Sequence, residues 1–239
     1  MRLFVGLGNP GPRHERQRHN VGFMAVDRIA ADHGFSAWRP RFRGELAEGR
    51  LGRRKVMLLK PMTFMNLSGE SVGEVLRFFR IEPAEMVVFH DELDLAPGRL
   101  RVKQGGGHAG HNGLRSLHQH VGEAFWRVRI GIGHPGHRDR VTGHVLGDFG
   151  EGERAWLDEL LRGISEGAPA LAEDDVTGFL AAVNRRMQPP RPARTPPPAP
   201  PAPEAAPRPA PDGQAGEGAA PAGPLARLLR HFGGGGKGD

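Results

Sequence analysis

Proline supplies no backbone N–H and fixes its own φ, so a segment crowded with it can form neither a helix interior nor a sheet ladder. In this chain 14 of the 22 prolines come after Met187. From residue 188 onward the sequence is Pro/Ala-rich, shows no periodicity until 225–232, and closes on Gly-Gly-Gly-Gly-Lys-Gly-Asp. Such composition buries too little apolar surface to offset chain entropy, which predicts a disordered or polyproline-like extension over 188–239. Within it, Leu225, Leu228, Leu229 and Phe232 have the spacing of a short amphipathic turn, either inert or a docking element. Folding is thereby confined to residues 1–187, enough for one α/β domain with a sizeable core and too few for two.

Removing the extension's six cations and four anions from the totals of 33 and 27 leaves that domain an excess of +4. The excess is modest, so where the cations sit matters more than how many there are. The chain has no cysteine. That excludes disulfides, thiol catalysis and cysteine metal sites, and fits a reducing compartment. The opening MRLFVGLGNPG turns to glycine and proline after a few apolar residues, and no run of about 18 apolar residues follows anywhere. The expectation is a cytoplasmic protein with no membrane association.

Short apolar runs at 2–7, 56–59, 86–89 and 128–132, each ended by turn-forming or polar residues, read as buried strands. Between them lie helix-period segments. Val72, Val75, Leu76 and Phe79 follow i, i+3, i+4, i+7, as do Leu157, Leu160, Leu161 and Ile164. Strands alternating with helices predict a three-layer α/β/α fold around a mixed, mostly parallel sheet. In such sheets ligands bind beyond the carboxyl ends of the strands. The segments to inspect are therefore 8–20, 61–68 and 90–94, with 105–112 leading into a helix that carries Leu114, Leu117 and Val121.

Three familiar motifs are approached and missed. Gly6-Leu7-Gly8-Asn9-Pro10-Gly11 has the form G-x-G-x-x-G, but Pro10, Pro12 and the polar stretch 13–18 resist the helix that would aim its N-terminus at a pyrophosphate. It fails as a P-loop too, because Pro12-Arg13 stands where Lys-Ser/Thr would reach phosphate and magnesium. His14 and His19 are spaced i, i+5 rather than as in H-E-x-x-H, so no zinc site is expected. No G-x-S-x-G elbow occurs.

What remains at the strand ends is a set of hydrogen-bonding side chains: Asn9, His19, Asn66, Asp91 and Asn112. A neutral histidine can take a proton from water, and a carboxylate on its other nitrogen fixes the tautomer and stabilises the imidazolium. Asp91 is the candidate partner of His19. The amides of Asn9 and Asn112 are suited to donate to a carbonyl oxygen as it gains charge. Each residue also has a plain reading. Asn9 suits a turn, Asn112 suits a helix cap, Asp91 could be a solvated loop acid, His19 a surface histidine, and Phe64 and Met65 core.

Six segments lift the choice. VGLGNPG (5–11), RHNVGF (18–23), KPMTFMNLSGE (60–70), HDELDL (90–95), KQGGGHAGHNGLRS (103–116) and RVRIGIGHP (127–135) occur in order, and together they resemble the signature blocks of the bacterial-type peptidyl-tRNA hydrolase family. The resemblance implies a metal-independent, cofactor-free esterase. It would cut the ester between a peptide and the 3′-terminal ribose of tRNA, as a monomer. It implies His19 as general base, Asp91 as the acid that holds it, and Asn9 as the residue that tells a blocked α-amino group from a free one. Phe64, Asn66 and Asn112, with Met65 beside them, match substrate-contacting positions. A tyrosine common after G-N-P-G is His14 here, in a chain without tyrosine, and His14 is carried over as a tRNA contact.

An RNA partner needs cations. Arg99, Arg101 and Lys103 alternate along one expected strand, and Arg127 and Arg129 along another, so each set projects from one face. Two rival readings stand beside the esterase: an RNA-binding protein on the same fold, and a hydrolase of another acyl ester or amide. All of it depends on His19 and Asp91 meeting in space.

Overall fold

The computed structural model describes residues 1–188. Apart from Gln188, the extension expected at 188–239, with its turn at 225–232, lies outside the described residues. Seven strands form one sheet: β1 (Arg2–Gly6), β2 (Arg39–Arg41), β3 (Gly44–Leu51), β4 (Arg54–Pro61), β5 (Met86–Glu92), β6 (Leu100–Gln104) and β7 (Trp126–Gly131). Their order is β2-β3-β4-β1-β5-β7-β6. The four runs foreseen from apolar content are the four central strands β4, β1, β5 and β7, which are mutually parallel. Antiparallel partners close both edges, β3 with β2 and β4 on one side and β6 with β7 on the other.

Side chains alternate across the pleat and fill two cores. Phe4 and Phe89 face α1 (Val21–Asp32), α5 (Arg154–Ala172) and α6 (Val176–Met187), packing with Val26, Ile29, Leu160, Ile164 and Phe179. Leu3, Val5 and Val88 face α2 (Ser68–Phe79) and α3 (Asn112–Val121), packing with Val72, Val75, Leu76, Leu114 and Leu117. Helices thus cover both faces of a mixed sheet, the expected three-layer α/β/α fold. A further short helix, α4 (Val141–Val145), follows β7.

Two glycines decide where the chemistry sits. A Cβ at Gly22 would collide with the Phe89 carbonyl, and one at Gly6 with the Gly22 carbonyl. Only glycine lets α1 rest directly on β1 and β5 at this point. The 3₁₀ turn Arg18–Asn20, which leads into α1, is thereby drawn over the carboxyl end of β5. Strand β5 itself runs through Glu92, so Asp91 is a buried strand residue rather than part of a loop at 90–94. Sequence periodicity did not foresee β2, β3, α1 or α6.

Candidate active site

A cavity of about 910 Å³ opens at the carboxyl ends of the central strands. It is lined from β1's loop by Asn9, from the turn before α1 by His19, and from the segment after β4 by Phe64, Met65 and Asn66. From β5 come His90 and Asp91, from the start of α3 His111 and Asn112, and from the β6–β7 edge Lys103 and Arg129. Nine of the eleven residues singled out from sequence therefore converge. The other two do not line this cavity. His14 is half-buried, with Nδ1 2.9 Å from Gln17 Oε1, and Arg101 is exposed on β6.

His19 Nδ1 lies 2.8 Å from Asp91 Oδ1, both residues being buried. The carboxylate fixes the proton on Nδ1 and leaves Nε2 as the basic nitrogen. Burial alone would make His19 harder to protonate; the charge and hydrogen bond of Asp91 outweigh it, and the imidazole's pKa ends above its ordinary value. Burial pushes the Asp91 carboxyl up, but His19 and His111 overcome that and hold it well below the usual carboxylate range.

His111 is the residue that sequence reasoning passed over. Its Nε2 lies 3.0 Å from the same Asp91 Oδ1, and its ring stands 4.9 Å from that of His19. Its Nδ1 accepts from Gly113 N at 3.1 Å and Leu114 N at 3.3 Å, so His111, not Asn112, caps α3. An acceptor at Nδ1 puts the ring proton on Nε2, aimed at Asp91. His90 completes the group. Its Nδ1 donates to the Asp91 backbone carbonyl at 2.7 Å, and its ring meets His111 edge-on at 5.1 Å. Burial, helped by His111, pushes its pKa down to about 3, so it is a neutral wall of the site.

The amides are held with equal care. Asn9 Oδ1 accepts from Met65 N at 2.9 Å, which orients Nδ2 as the free donor of a cavity-lining side chain. Asn112 is exposed at the first turn of α3, where its Oδ1 accepts from Arg115 Nη2 at 2.8 Å. That likewise leaves Nδ2 to donate. Asn66 is exposed beside them, Met65 is buried against the α2–α3 core, and Phe64 is 61% exposed. A ring that open to solvent is not part of the core, the plain reading that its sequence alone allowed.

The cations divide. Register pairs Arg101 with Arg129 and Lys103 with Arg127, so all four leave the β6–β7 ribbon on one face. Like charges directly opposite one another destabilise a sheet, and two of the four are engaged locally, one by a carboxylate and one by backbone carbonyls. Arg129 Nε is 2.8 Å from Glu92 Oε2. Arg127, expected as part of a solvent-facing patch, is buried and donates to the carbonyls of Gly106 and Gly107, bracing the glycine loop. Arg99 precedes β6, in a turn where its carbonyl accepts from Gly131 N at 2.7 Å. Lys103 and Arg101 remain exposed.

His19, Asp91 and His111 offer one ligand atom each within 4.8 Å, the sole such group among the described residues. The donor set does not fit a divalent ion. Both imidazoles address a single carboxylate oxygen at hydrogen-bond distance, and His111 presents a proton there rather than a lone pair.

The sequence model of one family, described as Peptidyl-tRNA hydrolase, matches residues 3–191. A peptidyl-tRNA hydrolase of Dinoroseobacter shibae is 59% identical over 236 residues, covering 97% of this chain and 100% of that protein. One from Cereibacter sphaeroides is 66% identical over 194 residues, covering 81% of this chain and 86% of its own. Among solved structures, the peptidyl-tRNA hydrolase of Acinetobacter baumannii superposes with a TM-score of 0.73 at 41% identity, over 77% of this chain and 94% of that one.

Proposed function

The chain belongs to the peptidyl-tRNA hydrolase family, and from that membership we propose that it hydrolyses the ester joining a peptide to the 3′-terminal ribose of tRNA, with His19 as general base. The observation that carries the assignment is the 2.8 Å contact between His19 Nδ1 and Asp91 Oδ1, which leaves Nε2 to take a proton from water.

In this reading a water beside His19 Nε2 attacks the ester carbonyl as its proton passes to the imidazole. Asp91, held ionised, stabilises the imidazolium that forms. The carbonyl oxygen becomes an oxyanion, and the Nδ2 groups of Asn9 and Asn112 are the donors available to it. Collapse of the tetrahedral intermediate expels the ribose oxygen, which His19 reprotonates. An ester's leaving group is good enough that this route needs no metal or cofactor. Asn9, Phe64, Met65 and Asn66 would receive the peptide's C-terminal end, and Lys103, with Arg101 and Arg129 beside it, the phosphates of tRNA. His14, which does not line the cavity, would meet the RNA elsewhere on the surface. A cytoplasmic place beside translation and action as a monomer go with this reading.

The rival of a pure RNA-binding protein has no use for a base and its orienting acid. The test is release of peptide from N-blocked aminoacyl-tRNA, with unblocked aminoacyl-tRNA as control. The reading expects turnover of the first and little of the second. No turnover of either, with tRNA still bound, would favour the binder.

A further inference from the structure

Asp91 accepts both of its side-chain hydrogen bonds through the same atom. Oδ1 receives His19 Nδ1 at 2.8 Å and His111 Nε2 at 3.0 Å. Two donors on one oxygen divide its negative charge, and each weakens the other's hold. We propose that His111 is a positioning residue that shares the Asp91 carboxylate with His19 and so limits how tightly His19 keeps a proton. The kinetic part of the proposal rests on His19 being the base.

The sharing is built in rather than incidental. His111 is fixed from behind, because its Nδ1 caps α3 through Gly113 N and Leu114 N. That cap sets the tautomer and makes Nε2 a permanent donor to Asp91. The same two backbone N–H groups keep Nδ1 engaged as an acceptor and hold the ring in place against the start of α3. His90, edge-on at 5.1 Å, blocks the ring from tilting away.

Other charges near the pair are engaged elsewhere or lie farther out. On β5, Glu92 is tied to Arg129. In the turn itself, Arg18 donates to the carbonyls of His144, Gly147 and Asp148 and pairs with Glu153 at 2.5 Å. His144, from α4, is turned to the Ile132 carbonyl at 3.1 Å. Asp94, Lys103, Arg115 and Arg138 line the same cavity without touching either partner. Asn9 and Asn20 beside His19 are neutral. Asp91 is therefore the charged group that holds His19 directly, and His111 acts on it through that shared carboxylate oxygen.

A base should be strong enough to accept the proton and weak enough to be empty at working pH. Without His111, the whole of Oδ1 would fall to His19, and the imidazolium would persist to higher pH. The test is the His19 titration midpoint, read by NMR of the imidazole in the protein without substrate, for wild type, His111→Asn and His111→Ala. Asparagine is a good N-cap but too short to bridge to Asp91, so it removes the sharing and keeps the helix start. We expect the midpoint to rise by about 0.5–1 pH unit in both variants. Only alanine should lower Tm, through the lost cap. The acid limb of kcat/KM should move upward by the same amount in His111→Asn.

An unmoved midpoint in folded His111→Asn overturns the proposal, whatever the kinetics. A raised midpoint with an unmoved acid limb upholds the sharing and counts instead against His19 as the base.

Discussion

Asn9 and Asn20 hold each other by two hydrogen bonds: Asn9 N donates to Asn20 Oδ1 at 2.9 Å, and Asn20 Nδ2 donates to the Asn9 carbonyl at 2.8 Å. This clasp joins the loop after β1 to the turn that carries His19. It fixes the backbone of Asn9, whose own side chain is fixed by Met65 N. The candidate base His19 and the candidate amide donor Asn9 are thus tied together through one buried side chain, that of Asn20.

Asn20→Ala should therefore act on stability and chemistry together. It strands a buried N–H and a buried carbonyl, at about 1–3 kcal/mol for each group left unpaired, so unfolding free energy in urea should fall by about 2–6 kcal/mol. kcat should fall more than tRNA affinity, since the phosphate contacts lie elsewhere. A variant as stable as wild type would contradict the role given to the clasp.

Acidity gives a second handle. Burial opposes protonation of His19 but Asp91 outweighs it, raising the folded value above 6.5. Since the base must be neutral, kcat/KM should climb with pH and reach half its limit above 6.5, as a pH–rate profile will show; a midpoint below 6.5 would contradict this. Stability follows a different course. The His19 contribution is full below 6.5 and lost as pH rises through its raised folded value, whereas that of Asp91 is present above 3.8 and lost as pH falls through its depressed one. The pair should stabilise most between these limits, measurable by denaturation at a series of pH values.

Phosphate binding provides a third. Lys103 is exposed on the face that opens to the cavity, free of the ion pair that occupies Arg129. Lys103→Ala should raise KM and reduce the slope of log KM against log salt by roughly one, the share of a single phosphate contact, with kcat within about twofold. An unchanged salt slope would remove Lys103 from the RNA surface.

The parallel core was legible because β1, β4, β5 and β7 are buried on both faces and so read as unbroken apolar runs. β3 was not, because Gly44–Leu51 mixes glycine, glutamate and arginine in a strand near the sheet's open edge. α1 was missed because the apolar arc of Val21–Asp32 is wide, leaving only Asp27, Arg28 and Asp32 as charged markers of its outer face. Within the site, Asp91 and His19, which lie 2.8 Å apart, were identifiable as a candidate pair by chemistry and by resemblance. His111 was not. A histidine at a helix start looks like a cap, which it is, and nothing in its spacing says that the other ring nitrogen reaches a carboxylate 20 residues earlier. Arg127 erred the other way: strand alternation placed it correctly on a basic face, but alternation says nothing about depth, and glycine carbonyls claimed it.

The most direct trial of the account is single-turnover hydrolysis of N-blocked aminoacyl-tRNA by His19→Ala, with tRNA binding measured on the same preparation. The rate should drop by roughly 10²- to 10⁴-fold, the usual loss for a general base, while tRNA affinity stays within about twofold. Hydrolysis at close to the wild-type rate in a folded, tRNA-binding variant would contradict it.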